Sequence, residues 1–172
     1  MQQVGTLHDL FVHELADIYS AEQQISQALP KMASAATSPE LKQAFETHLE
    51  QTRNQIQRLD EVFNLIGAPR QVETCEAMKG LIKEGEKALH ETTTGPVKDA
   101  ALIGAAQKVE HYEISAYGTT RTYADALGLT EARDLLDRTL TEESKTDEML
   151  TKLAEGGLLS QGINEQARDK RA

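Results

Sequence analysis

Residues 109–118 read VEHYEISAYG and set two carboxylates, Glu110 and Glu113, one helical turn apart where a long helical segment should be most buried. On either side, Leu102, Ala106, Val109, Ala116 and Thr120 follow the i, i+3, i+4, i+7 spacing that keeps side chains on one face. Glu113 interrupts that stripe, and Glu110 lies one turn earlier near the same face. An ionised carboxylate alone in an aliphatic interior costs several kcal/mol, so the position demands a partner.

Three other segments repeat the pattern. In the first, the stripe Phe11, Leu15, Ile18, Ile25, Leu29 is broken once, by Glu22. In the second, Leu41, Phe45, Ile56, Leu59 and Phe63 are broken by His48 and Thr52. In the last, Ala132, Leu136, Leu140, Leu150 and Ala154 are broken by Glu143 and Asp147. The punctuation between them predicts helices over about 6–36, 39–66, 97–127 and 130–155. Ser38 is the expected N-cap before Pro39, Gly128 is the expected break, and Thr130 is the expected cap of the last helix. Each helix has roughly 26 to 31 residues and so spans roughly 40 to 45 Å.

Such lengths suit a four-helix bundle. The first and last connections are short and force antiparallel pairs, whereas the ~30 residues between the pairs are enough for a crossover along the bundle. A fifth, shorter helix is expected in that crossover, in CEAMKGLIKEGEKALHE, with Met78, Leu81, Ile82 and Leu89 on one side. The halves also align at a displacement of about 91 residues, with Glu22 opposite Glu113 and Thr52 opposite Glu143. A single domain over 1–172 is expected, with a short disordered tail over about 160–172.

Composition narrows the function. Aromatics are only 4% of the chain and Trp is absent, so the core is aliphatic, which favours helices. A formal net charge of −10, spread along the chain, argues against nucleic acid as a partner. One cysteine, Cys75, excludes an internal disulfide framework or a cysteine-based zinc site. The N-terminus lacks the pattern of a signal peptide and no apolar run approaches ~18 residues, so a cytoplasmic protein without membrane contact is expected.

Counting from the turns puts Glu22, His48, Thr52, Glu113 and Glu143 in one layer of the bundle. Arg53, Lys108, Arg121 and Lys145 fall away from the stripes, which leaves a pair of divalent metal ions, iron or manganese, as the expected counter-charge. The competing reading is a hydrogen-bonded carboxylate network that serves structure alone. Tyr112, Tyr117 and Tyr123 are expected to pack, although a tyrosine near a metal pair can donate a hydrogen bond. Glu142 and Glu148, about 100° off the seam, are expected in solvent.

The strings DIYSAEQQ, HLEQTRNQIQRLD, CEAMKGLIKE, DAALIGAAQKVEHYEISAYGT and EESKTDEML resemble the bacterial YciF/YciE-type stress proteins, a branch of the ferritin-like superfamily, and the likeness runs over nearly the whole chain. The resemblance implies an all-α, ferritin-like four-helix bundle with a fifth helix, a homodimer and a rubrerythrin-like site. It implies no established reaction. Related di-metal proteins carry Glu-x-x-His on the second and fourth long helices, and this sequence has that motif nowhere. Its counterparts are Thr52-x-x-Gln55, with His48 a turn earlier, and Glu143-x-x-Thr146, followed by Asp147. The resemblance carries ligands over at Glu22, Glu113 and Glu143, while His48, Glu110 and Asp147 are substitutes drawn from geometry. Three functions follow: a di-metal protein handling peroxide, oxygen or metal under stress, a non-catalytic helical homodimer whose acidic surface binds a partner, and a storage shell, which no basic tail or extra assembly helix supports.

Overall fold

The computed structural model describes residues 4–70, 73–157 and 160–168. Helix α1 (Leu7–Ala35) starts at a capping box: Thr6 Oγ1 accepts from the Asp9 amide at 3.1 Å, and the Asp9 carboxylate accepts from the Thr6 amide at 3.0 Å. Helix α2 (Pro39–Ile66) starts with Ser38 Oγ accepting from the Leu41 amide and Pro39 in the first turn, as the sequence predicts. It ends at Gly67, whose φ of 64° lies in the left-handed region that a side chain disfavours. Helix α3 (Glu76–Glu91) fills the crossover, α4 (Pro96–Ala126) and α5 (Thr130–Glu155) form the second antiparallel pair, and α6 (Ile163–Gln166) is a single turn.

Two local expectations change. Thr130 is the first residue of α5, not its cap; Leu129 holds the N-cap without a side-chain bond. Instead of a tail beginning near 160, the chain turns back through a two-residue antiparallel pair, Gly156–Gly157 with Ser160–Gln161, into α6. A Cβ at Gly156 would stand 2.3 Å from the Gly162 amide, so the turn closes only on glycine. The return puts Ile163, 5% exposed, into the core beside Leu150 and Ala154. Residues 169–172 lie outside the described residues.

Asp99, in the first turn of α4, locks the two pairs together. Its carboxylate accepts from the amides of Thr37 and Ser38 at 2.7 and 2.8 Å and from the Thr37 hydroxyl, so the α1–α2 turn sits on the start of α4. The long helices therefore share one origin, and levels counted from the turns match across the bundle. Helix α3 lies across α1 and α4 and buries only Met78 fully, with Leu81, Ile82 and Leu89 half-buried against the core.

The interior is not continuous. One apolar cluster gathers Ile25, Leu29, Phe45, Met78, Leu102 and Leu150, and the other gathers Phe11, Leu15, Leu59, Phe63, Tyr117 and Leu136. Between them, in the sequence of every long helix, come the buried polar residues: Glu22 on α1, His48, Thr52 and Gln55 on α2, Glu110 and Glu113 on α4, and Thr139, Glu143 and Thr146 on α5. A polar layer thus cuts an aliphatic core in two.

Candidate metal centre

The buried line on each helix is the apolar stripe of the sequence, turned slightly at some positions. On α4 it runs Leu102, Ala106, Glu110, Glu113, Tyr117, Thr120, which brings Glu110 fully inside at 2% exposure and leaves Val109 and Ala116 at the edge. On α5 it runs Leu136, Thr139, Glu143, Thr146, Leu150, so Leu140 and Asp147 fall on the flank. On α2 the line takes in Gln55 and leaves Ile56 half-buried.

Four side chains converge. His48, Glu110, Glu113 and Glu143 each present one donor atom, and these atoms lie within 4.8 Å of one another, with all four residues buried. Glu22 is fully buried beside them, where its charge acts on Glu110 and Glu113. Asp147 is not in this group: its carboxylate accepts from Gln107 Nε2 at 3.1 Å, faces His111 Nε2 at 3.4 Å, and is 21% exposed. From that flank it still raises the proton affinity of Glu110.

The surrounding donors are few. Tyr117, wholly buried, donates its hydroxyl proton to Glu22 Oε1, and Gln55 donates from Nε2 to Glu143 Oε1. Arg58 enters from α2 and grips Glu142 with both guanidinium nitrogens at 3.0 Å, while also donating to Thr139 Oγ1 at 2.6 Å. Glu142 is therefore an ion-paired wall of the site and not a solvated residue, whereas Glu148 is exposed as expected. Arg58 is the cation that stripe counting misses. Its Cα lies off the seam, but a long side chain lying along the surface carries its charge to the edge of the layer. A signal for it existed: Arg58 and Gln55 are three residues apart and share a helix face.

One arginine does not balance the layer. Burial, and then the neighbouring carboxylates, push Glu22, Glu110 and Glu113 well above the ordinary value of 4.5. Glu143 rises to about 7: burial raises it, while its interactions with Glu110 and Gln55 and the charge of Arg58 oppose the rise. Burial lowers His48 to about 4, so its imidazole is neutral at physiological pH. Although His48 Nε2 stands 3.4 Å from Glu110 Oε1, the two form no hydrogen bond, and both ring nitrogens lack a partner.

The unpartnered atoms are the sharpest feature. Among the described residues, every buried side-chain nitrogen or oxygen without a hydrogen-bond partner belongs to this layer, apart from Arg121 Nε. They include both oxygens of Glu113, one each of Glu22, Glu110 and Glu143, both nitrogens of His48, Thr52 Oγ1 and Gln55 Oε1. Such atoms cost about 1–3 kcal/mol each when left bare, and folded proteins rarely tolerate more than a few. Carboxylate oxygens with one neutral imidazole are donors that divalent metal ions take, and the buried group can hold a metal ion.

The comparisons agree with the architecture. The family described as "Domain of unknown function (DUF892)" matches residues 6–167. Protein YciF of Escherichia coli (strain K12) is 46% identical over 166 residues, which is 96% of this chain and 97% of that protein. The crystal structure of the E. coli stress protein YciF matches with a TM-score of 0.84 at 47% identity, over 89% of this chain and 95% of that one. The structure of YcfI from Rhodopseudomonas palustris matches at 0.86 and 43% identity, over 89% and 98%. A Xanthomonas campestris protein, 22% identical with a TM-score of 0.68 over 86% of this chain and 89% of its own, shares the fold. By sequence and by architecture together, the chain belongs to the YciF-type family that carries the DUF892 domain, with an all-helical, ferritin-like bundle.

Proposed function

We propose that the polar layer holds two divalent metal ions, iron or manganese, and that the protein uses them in the cytoplasm to handle a small oxygen species under stress. The observation that carries this reading is the concentration of unpartnered buried donors in one layer between two apolar clusters. His48, Glu110, Glu113 and Glu143 make the first ligand group, and Glu22, joined to Tyr117 through one oxygen, offers its other oxygen beside Glu113. Asp147, bonded to Gln107 and facing His111, supports the flank of Glu110 and is left out of the ligand set.

The chain's own residues perform three tasks here. Tyr117 and Gln55 each bond one oxygen of a carboxylate, which fixes its rotamer and leaves the second oxygen free. Arg58, held by Glu142 and Thr139, supplies positive charge at the edge of the layer, which lowers the proton affinity of both Glu22 and Glu143. The two apolar clusters keep bulk water from the layer, which strengthens every charge interaction inside it. A bound pair of redox-active ions would supply electrons and Lewis acidity to an oxygen species in that dry space.

Elemental analysis after anaerobic addition of Fe(II) or Mn(II) tests the reading. The expected result is stoichiometric uptake that Glu113→Gln abolishes, together with a rise in melting temperature that a chelator reverses. Less than a trace of metal per chain, with a melting temperature indifferent to chelators, would leave the carboxylate network as a structural device and remove the enzyme reading.

A further inference from the structure

Beneath α3 the bundle leaves a cavity of about 50 Å³ that reaches the candidate metal centre. Ile25, Phe45, Ala106 and Leu150 form its walls, and Leu81 and Ile82 of α3 cover it. His48 and Glu110 line its polar end, and His48 brings there a buried imidazole with neither nitrogen hydrogen-bonded. Lys31 and Glu86 pair at 2.9 Å across the rim between α1 and α3, with both side chains largely in solvent.

We infer that this cavity is a binding site for a small, uncharged, apolar molecule on its way to the carboxylate layer, and that dioxygen is the oxygen species it admits. The inference rests on the proposed function and narrows it. Size is the first argument. Dry apolar cavities of about 150 Å³ take up benzene, so a space one third as large suits a diatomic molecule or a single xenon atom. Chemistry is the second. Between the Lys31–Glu86 rim and the polar end at His48, Glu110 and Thr146, the walls and cover are aliphatic and aromatic, so a metal cation or hydrogen peroxide would shed its hydration shell along that stretch without replacement, whereas dioxygen has none to lose. The third is placement: on the α3 side the lining consists of Leu81, Ile82, Gly85, Glu86 and Leu89, from a helix that buries a single residue fully. Local opening of α3 would admit the guest without disturbing the four long helices.

Xenon is the probe, because it binds by size and polarisability and needs no metal. Metal-free protein crystals pressurised with xenon are expected to show one atom between Ile82 and His48, and solution spectra to show saturable shifts of the Ile25, Ile82 and Leu150 methyls. Ala106→Leu, which fills the cavity, should weaken xenon binding at least tenfold, while Leu81→Ala, which enlarges it, should allow benzene to bind. In the Fe(II)-loaded protein, Ala106→Leu should slow oxidation by dioxygen at least fivefold and leave oxidation by hydrogen peroxide unchanged. Absence of xenon from the wild-type cavity, or equal slowing with both oxidants, overturns the inference. Uptake of xenon with no uptake of metal sinks the functional reading and the dioxygen assignment with it, while metal uptake without xenon sinks only the cavity.

Discussion

Tyr117 is held among Leu, Ile and Phe side chains with its hydroxyl on Glu22, and burial together with that carboxylate raises its own proton affinity. It is a permanent donor, unable to ionise near neutrality. Tyr117→Phe keeps the packing and removes the donor, so Glu22 loses the partner of one oxygen; the expected cost to the metal-free protein is about 1–2 kcal/mol by chemical denaturation. If Glu22 ligates, its loosened orientation should also weaken metal affinity by about 10-fold or more, measured by competition with a chelator. Cys75 lies outside the layer, at the start of α3. Its amide donates to Ser20 Oγ at 3.0 Å, its sulfur caps α3 by accepting from the Met78 amide at 3.3 Å, and the thiol lies 3.1 Å from Tyr112 Oη, which donates to Asp17. Burial raises the thiol, so it serves as a cap and not as a nucleophile.

At the scale of elements, the junction of Asp99 with the α1–α2 turn decides the level of everything else. Asp99→Asn preserves shape but offers one acceptor fewer and brings donors against donors; destabilisation of about 1–3 kcal/mol is expected, with metal stoichiometry intact when folded protein is assayed. Helix α3 is the opposite case. Its exposed pair Lys31–Glu86 is worth under about 1 kcal/mol, and it buries only Met78 fully, so its amides should exchange with solvent earlier than those of α4. Exchange of α3 no faster than that of α4, followed by mass spectrometry, would show that the cover is rigid. The helix limits were legible because Ser38, Pro39 and Gly128 stop or start helices through local backbone geometry. Thr130 was misleading: Thr is a good cap by itself, but the α4–α5 turn placed Leu129 at the cap instead.

For the whole molecule, the layer makes stability depend on pH and on metal. Above 4.5 the unfolded chain releases protons that the metal-free folded chain retains on Glu22, Glu110, Glu113 and Glu143. Stability therefore falls as pH rises from 4.5 towards the folded values, about 7 for Glu143 and well above 4.5 for the others, with a slope of about 1.4 kcal/mol per pH unit for each such group. His48 acts in reverse between about 4 and 6.5, where only the unfolded imidazole is charged, so the window from 6.5 to 8 isolates the carboxyls. Metal-free protein should melt at a steadily lower temperature across that window, and saturating divalent metal should flatten the dependence; a flat profile without metal would mean that the carboxyls titrate normally. Among the described residues no helix is long and apolar enough to cross a membrane. The expected homodimer is read by gel filtration, with a mass far above a dimer pointing to a shell.

Glu22, Glu113 and Glu143 could be found without coordinates, because a charge in the middle of an apolar stripe stands out against helical periodicity, and periodicity is a local property. The same rule identified the bundle and the crossover. Gln55, Arg58, Tyr117 and the full burial of Glu110 were decided by the tertiary structure. Which oxygen receives a proton and which guanidinium reaches a carboxylate depend on how far each helix turns about its axis when it packs. A rotation that moves the seam from Leu140 and Asp147 to Thr139 and Thr146 leaves no trace in the spacing of residues, yet it selects which side chains face the layer.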